Sequence, residues 1–167
     1  MIEVSLKEAL NKFKPARFAF VISIDQNNKP SGMIAGQIMR CSSQPPLYAV
    51  SLAKSGHTYK LIRESKEFVV ATPSESLREA IDLFSSHHGD ETDKFSKARI
   101  KTTKAHYIKT PLLTQTTINL ECKLQQEVDA GDHIIFIGEV LASHLNEDEK
   151  ILFNMGKVND KRIYKEI

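Results

Sequence analysis

The chain has 167 residues, a length that ordinarily gives one domain around one hydrophobic core. Its 41% hydrophobic and 26% charged residues are ordinary for a globular protein and exclude a disordered or collagen-like chain. The formal net charge is only +2, and the scattered Lys and Arg residues do not favour a nucleic-acid-binding surface.

The N-terminal part of the sequence predicts a helix followed by strands. Ser5 and Glu8 have the spacing of a capping box, and the apolar residues after them share one face, which predicts a short amphipathic helix over residues 5–13. Residues 18–24 alternate with the period of two that is typical of a half-buried strand. After a turn, residues 32–39 are expected to continue as one strand, and its two glycines indicate close approach of a ligand or another backbone.

The middle of the chain predicts shorter elements. Strands are expected at residues 47–53 and 67–72, with one or two helical turns at 57–64 between them. Ser76 and Glu79 have a second capping-box spacing, which predicts a helix that stops near Gly89. One more helical turn is expected at residues 92–98, and residues 99–117 are interpreted mostly as loop.

The C-terminal part predicts a long β-hairpin. Alternation at residues 118–124 indicates a strand, residues 128–132 supply a glycine-containing turn, and residues 133–145 form the returning strand. The tail from Ile151 is apolar enough that we expect it to dock on the core. About six strands with few short helices favour an antiparallel barrel or sandwich over alternating βαβ units.

Several classes of site find little support in the sequence. The seven glycines never form G-x-G-x-x-G or a phosphate-binding G-x-x-x-x-G-K-[ST] loop, so a nucleotide would have to be held in another way. Cys41 and Cys122 match no zinc spacing, and the adjacent pair His87-His88 lacks convincing co-ligands, so no metal is expected. Two cysteines alone do not indicate a disulfide framework, so we expect a protein of the reducing cytoplasm. No apolar run reaches the ~20 residues of a membrane span, so membrane insertion is not expected.

Six stretches follow one another in an order and spacing that together form a specific pattern. They are residues 31–37, 44–52, 57–65, 67–70, 93–95 and 131–140. This pattern resembles the flavin reductase-like family, which includes the flavoredoxins. The resemblance implies a mainly β fold, the antiparallel FMN-binding split β-barrel with a few short peripheral helices. It also implies one domain over residues 1–167 and a homodimer.

The resemblance further implies which residues hold the cofactor, flavin mononucleotide (FMN). The flavin would lie along the first glycine-bearing strand, beside the end of a second strand and the start of a helix. Those cofactor-binding residues are Ser31, Met33, Ile34, Ala35, Gly36, Gln37, Ser51, Leu52, Ala53, His57 and Thr58, joined by Lys94 and His133. Thr58 is the main phosphate candidate, because a hydroxyl at a helix start can donate to a phosphate oxygen. His57 and Lys54 would add positive charge beside it.

Each of these assignments has a plainer structural alternative. The two glycines could mark a β-bulge, Thr58 could be only the N-cap of a helix, and Lys94 could be a solvated surface charge. His133 could be structural at the start of its strand. The family pattern instead makes His133 the catalytic candidate, near the flavin ring and the nicotinamide.

The resemblance implies an oxidoreductase, with FMN performing the redox chemistry. The first hypothesis is an NAD(P)H-dependent flavin reductase that transfers hydride from a nicotinamide to FMN and serves an oxygenase or another electron acceptor. The alternative is a flavoredoxin-like electron carrier with tightly bound FMN and little NAD(P)H activity. A third hypothesis is an FMN-binding storage or sensing module without a redox partner. No nucleic-acid or membrane partner is expected.

Overall fold

The computed structural model describes residues 1–86, 93–159 and 161–167. Its helices are α1 (Leu6–Asn11), α2 (His57–Ser65), α3 (Arg78–Ser86) and α4 (Lys94–Lys97), with a 3-10 turn at Glu75–Leu77. The strands of the main sheet are β1 (Ala19–Ile24), β2 (Pro30–Ala35), β3 (Ile38–Ser43), β4 (Pro46–Ala53), β5 (Glu67–Pro73), β8 (Thr116–Ala130) and β9 (His133–Leu145). Two small pairs are β6 (Thr102–Thr103) with β7 (Leu112–Leu113), and β10 (Leu152–Val158) with β11 (Lys161–Glu166).

The main sheet is antiparallel and has the strand order β2-β1-β5-β8-β9-β4-β3. Its two edge strands, β2 and β3, are consecutive in the chain and are separated only by Gly36 and Gln37. The amide of Ser51 in β4 donates to the carbonyl oxygen of Gln37 at 2.9 Å. This bond joins the connection that leaves β2 to the other end of the sheet, where β4 lies beside β3. The sheet therefore curls on itself, and the expected mainly β split barrel is confirmed.

The expectation of one strand over residues 32–39 is wrong. The chain leaves the sheet after Ala35, and Ile38 starts β3, which pairs with β4 in the register Ile38 to Val50. The break lies where the chain passes from one edge of the sheet to the other. The local sequence does not show that the chain must cross there. The other strand predictions in the first half, at residues 47–53 and 67–72, are confirmed.

β1 is buried along its whole length instead of half-buried as expected. Phe20 and Ile22 belong to the first of two hydrophobic clusters. Ala19 and Val21 belong to the second hydrophobic cluster, on the other face of the sheet. The alternation was correctly interpreted as a strand, but the smaller residues face a second core and not solvent.

The two capping predictions have different outcomes. At α1, the Ser5 hydroxyl accepts from the Glu8 amide at 3.3 Å and the Glu8 carboxylate accepts from the Ser5 amide at 3.0 Å, so the capping box is present. The prediction of a second capping box at Ser76 is wrong. Ser76 lies in the 3-10 turn, and its hydroxyl donates to the carbonyl oxygen of Gln115 at 3.2 Å. The expected end of that helix near Gly89 lies outside the described residues, as does the pair His87-His88.

The predicted C-terminal hairpin is confirmed, although its turn is tighter than expected. Ala130 pairs with His133, so the turn consists of Gly131, at φ +70°, and Asp132.

The C-terminal tail docks on the core as expected, through Leu152 and Tyr164, which are both buried in the first hydrophobic cluster. It also forms a hairpin, β10–β11, which the sequence did not predict. The expected loop over residues 99–117 contains only the short pair β6–β7 before β8 begins. No helix among the described residues is long and apolar enough to cross a membrane.

Candidate functional site

The two glycines of the first glycine-bearing stretch have different surroundings. A Cβ added at Gly32 would lie 2.5 Å from both the carbonyl oxygen of Val21 and Cδ1 of Ile22, so this glycine is required by the packing of β2 against β1. A Cβ added at Gly36 would meet nothing within 4 Å. Gly36 therefore presents backbone next to open space, where a ligand can approach closely.

The side chains around Gly36 point into different environments. Met33 and Ala35 pack with the second hydrophobic cluster, whereas Ile34 packs against the first cluster, as expected for alternation in a strand. Ser31 is half-buried and Gln37 is exposed. The residues expected to bind the cofactor thus share a strand, but their side chains do not share one face.

The end of β4 lies beside the start of β9. Ser51, Leu52 and Ala53 pair with Ile135, Ile134 and His133 respectively. Ser51 and Ala53 are half-buried, whereas Leu52 is 1% exposed and belongs to the core. Leu52 can therefore contact a ligand at this edge only through its backbone.

Helix α2 begins directly after this strand end. Its N-cap is Gly56, which provides no side-chain cap, so the alternative in which Thr58 is the N-cap is wrong. Thr58 is the second residue of the helix and is 2% exposed, and His57 is half-buried. The first amides of a helix lack intrahelical acceptors and carry partial positive charge, which makes this end suited to an anion. A Cβ at Gly56 would lie 4.0 Å from Sδ of Met33, so the helix start is close to β2.

His133 is oriented by its neighbour in the hairpin turn. Its Nδ1 lies 2.7 Å from Oδ1 of Asp132, and this hydrogen bond is the main cause that lowers the pKa of the Asp132 carboxyl. An ionised carboxylate only accepts, so Nδ1 carries the proton. In the neutral imidazole, Nε2 is then a hydrogen-bond acceptor.

Lys54, which was expected to add charge near the phosphate candidate, is engaged with the hairpin. Its ammonium lies 2.7 Å from Oδ2 of Asp129, and its amide donates to the carbonyl oxygen of Asp132 at 3.0 Å. The hydrogen bond from Lys54 lowers the pKa of Asp129. Lys54 therefore joins the end of β4 to the turn that carries His133, a pairing that sequence separation concealed.

Lys94 is buried, with 3% of its surface exposed, so the alternative of a solvated surface charge is wrong. Its ammonium donates to the carbonyl oxygens of Gly32, at 3.1 Å, and Phe84, at 3.4 Å, and lies 5.1 Å from the centre of the Phe84 ring. Lys94 thus contacts the backbone of β2. Its expected contact with a cofactor stays a prediction.

Three contacts bring the remaining expected residues together. Gln37 is hydrogen-bonded to Ser51, the Cβ position at Gly56 lies 4.0 Å from Sδ of Met33, and Ala53 pairs with His133. The glycine edge, the strand end, the helix start and the hairpin turn therefore surround one region. The pattern of the flavin reductase like domain matches residues 14–161 of this chain. The chain belongs to the flavin reductase-like family.

Relatives of this flavin reductase-like protein include named oxidoreductases. A ferric-chelate reductase (NAD(P)H) of Archaeoglobus fulgidus is 30% identical over 135 residues, which cover 80% of this chain and 78% of the relative. The reductase component of the flavin-dependent trigonelline monooxygenase of Acinetobacter baylyi is 28% identical over 146 residues, covering 82% of this chain and 45% of the relative. The flavoredoxin of Desulfovibrio vulgaris (Miyazaki F) superposes with a TM-score of 0.81 at 25% identity, covering 92% of this chain and 87% of that one.

The extent of these matches differs between relatives. The chain spans 82% of one relative's length but 64%, 54% and 52% of others, which is less than two thirds. The family and the fold therefore follow directly from the comparisons, whereas activity, substrates and partners are matters of proposal.

Proposed function

We propose that this protein binds FMN at the convergent region and transfers hydride to it from NADH or NADPH. The observation that carries the proposal is the convergence of an open glycine edge at Gly36, the helix start at Gly56 and the hairpin turn at His133. Each offers a different chemistry, respectively close backbone approach, anion binding and an imidazole.

The phosphate of FMN would bind at the start of α2. The free amides of the first turn and the hydroxyl of Thr58 are donors, and His57 adds a further one. A phosphate there replaces the missing side-chain cap of Gly56. This arrangement explains how a chain without a glycine-rich phosphate loop could hold a nucleotide.

The ring system would lie along residues 31–37, with the backbone around Gly36 as its platform. When bound, FMN supplies the ring atom N5 that accepts a hydride. Asp132 holds the imidazole of His133 with Nδ1 protonated, which leaves Nε2 to accept a hydrogen bond from the flavin pyrimidine edge or the nicotinamide carboxamide. The protein thus orients the donor and the acceptor.

A homodimer is part of the proposal. Most residues around the region are half-buried or exposed, and so are the apolar side chains of Leu6 and Leu10 in α1 and of Phe13 after it. A second copy of the chain would remove these apolar side chains from water and cover the flavin. Light scattering coupled to size-exclusion chromatography should give a mass twice that of the 18.8 kDa chain.

The partner and the domain count are further parts of the proposal. We propose that the chain is one domain and that reduced FMN serves an oxygenase or another electron acceptor. The monooxygenase reductase component among its relatives supports the first kind of partner.

Steady-state oxidation of NADH and NADPH, measured with and without added FMN, tests the proposal. Rapid turnover with either nicotinamide supports the reductase. A yellow protein inert to both would instead support the flavoredoxin-like carrier or the storage or sensing module. FAD and riboflavin serve as comparisons, because riboflavin lacks the phosphate and should bind more weakly. A colourless protein that takes up no FMN from excess would contradict flavin binding altogether.

A further inference from the structure

Two histidines and a glutamate form a group of potential metal ligands away from the proposed flavin site. It consists of His106 in the loop between β6 and β7, Glu121 in β8 and His144 in β9. Their candidate ligand atoms all lie within 4.8 Å of one another. The proposed redox chemistry uses none of these three residues.

Glu121 is a fully buried carboxylate that stays ionised. Its exposed fraction is 0%. Burial by itself would raise its pKa, but hydrogen bonds outweigh this effect and the pKa is lowered. The amides of His106 and Tyr107 donate to Oε1 and Oε2, each at 2.8 Å. These two bonds fix the carboxylate beside the loop that carries His106.

The two imidazoles flank this carboxylate. Nε2 of His144 lies 2.7 Å from Oε1 of Glu121, and the rings of His106 and His144 are 4.8 Å apart at an interplanar angle of 89°. His106 is exposed and lies on a loop. Its ring can therefore move without disturbing the core.

We propose that His106, Glu121 and His144 bind a divalent transition-metal ion of the Zn²⁺ type. Two imidazole nitrogens and one carboxylate oxygen are a ligand set that suits Zn²⁺. With tetrahedral metal–ligand distances of about 2.0–2.2 Å, ligand atoms lie about 3.3–3.6 Å apart. Atoms that are now separated by up to 4.8 Å must therefore approach, whereas Nε2 of His144 and Oε1 of Glu121, now 2.7 Å apart, must separate slightly. Rotation of the exposed His106 ring and of the His144 ring would allow this adjustment.

The fourth coordination position would open toward solvent. A cleft of about 590 Å³ is lined by His106 and His144 together with Thr114, Asn146 and Asp148. Three protein ligands with one position left for water or a small molecule are typical of accessible zinc sites. The metal would also fix the loop of His106 to the β8–β9 hairpin.

This site can be tested separately from flavin binding. His144 lies 11 residues beyond His133 in β9, which is about 36 Å of extended strand. Variants of the cluster should therefore leave the content of bound flavin unchanged. The three ligands are separated by 15 and 23 residues, which explains why no sequence spacing indicated them.

The test is titration of the full-length, metal-free protein with Zn²⁺ by calorimetry and with Co²⁺ by visible absorption. We expect one equivalent to bind with micromolar or tighter affinity, and a Co²⁺ spectrum without the intense thiolate band. His106→Ala and His144→Ala should each weaken binding at least tenfold, whereas Cys41→Ser and the double variant His87→Ala/His88→Ala should bind like the wild type. Circular dichroism checks that each variant is folded, and His106→Ala carries the test if changes at the less exposed His144 disturb folding.

Three outcomes would overturn the proposal. One is no binding up to millimolar Zn²⁺ or Co²⁺, which would leave Glu121 as an anchor of the loop only. Another is unchanged affinity in a folded His106→Ala variant. The third is loss of binding in the Cys41→Ser or His87→Ala/His88→Ala variant, which would assign the ion to those residues.

Discussion

The amide of Ser51 donates to the carbonyl oxygen of Gln37 across 2.9 Å, and this bond joins β4 to the connection between the two edge strands. Gln37 follows Gly36 directly, so the bond fixes the backbone segment that borders open space. A platform held in this way before a ligand arrives loses little conformational freedom on binding. The position of Gly36 therefore comes from the sheet and does not depend on the cofactor.

The two glycines of this stretch should respond differently to alanine. In Gly36→Ala, the new methyl group meets no protein atom, so the melting temperature should stay within about 1–2 °C, a change of well under 1 kcal/mol. The same methyl group would enter the space of the flavin, and FMN affinity should fall at least tenfold in a fluorescence titration. Unchanged FMN affinity in this variant would remove Gly36 from the site.

Gly32→Ala is the matched variant, and it should chiefly affect stability. Its Cβ would lie 2.5 Å from backbone oxygen of Val21, which cannot move without shifting β1. We expect a loss of about 1–3 kcal/mol in the free energy of unfolding, the usual cost of overpacking. Urea denaturation measures it, and a stability equal to the wild type would contradict the packing derived for this glycine.

Thr58→Ala should weaken FMN binding about tenfold, because a hydrogen bond to a charged phosphate contributes roughly 1.5 kcal/mol. Thr58→Ser keeps the hydroxyl and should restore most of the affinity. Riboflavin, which has no phosphate, should bind Thr58→Ala and the wild type equally. Thr102→Ala, at an exposed position in β6, is the control and should bind FMN normally. A tenfold loss for riboflavin as well would indicate a packing role for the buried threonine.

Local signals in the sequence predicted the elements that depend on local chemistry. The Ser5–Glu8 capping box and the strand alternation of β1 needed only neighbouring residues, and both are present. The order and spacing of the motifs carried the resemblance to the family, and the resemblance implied the split barrel. The resemblance also assigned residues of β2, of the end of β4 and of the start of α2 to the cofactor, and that assignment stays a prediction.

These local signals did not predict contacts between residues that are distant in the sequence. Residues 32–39 were expected to form one strand, but the closure of the barrel divides them at Gly36 and Gln37. Ser76 and Glu79 have capping-box spacing, yet the hydroxyl of Ser76 has partners that are distant in the sequence, Gln115 and Glu149. Glu121 occupies a strand position beside the apolar Cys122 and is nevertheless buried, because the loop of His106 folds over it. Such contacts depend on three-dimensional packing, which a single sequence does not display.

The two cysteines should react at very different rates with a thiol reagent such as DTNB. Cys41 is exposed, whereas Cys122 is 0% exposed and its burial strongly raises the pKa of its thiol. Only the thiolate is nucleophilic, so at pH 8 one equivalent should react rapidly and the second only after denaturation. Cys41→Ser should abolish the rapid phase. Rapid reaction of two thiols in the native wild-type protein would contradict the packing of the β8–β9 hairpin.

His133→Ala should slow hydride transfer while FMN remains bound. The imidazole is held by Asp132 at 2.7 Å on a turn, so its removal takes away a positioned hydrogen-bond acceptor without opening the core. We expect a decrease of about 10²-fold in the rate of flavin bleaching by NADH in stopped-flow measurements, the lower end of what a positioned acid–base group contributes. Asp132→Asn separates orientation from chemistry, because an amide can also donate to Nδ1 and so permits the other tautomer. Its rate should fall between those of the wild type and His133→Ala, and a wild-type rate in a folded, FMN-loaded His133→Ala variant would exclude the imidazole from the reaction.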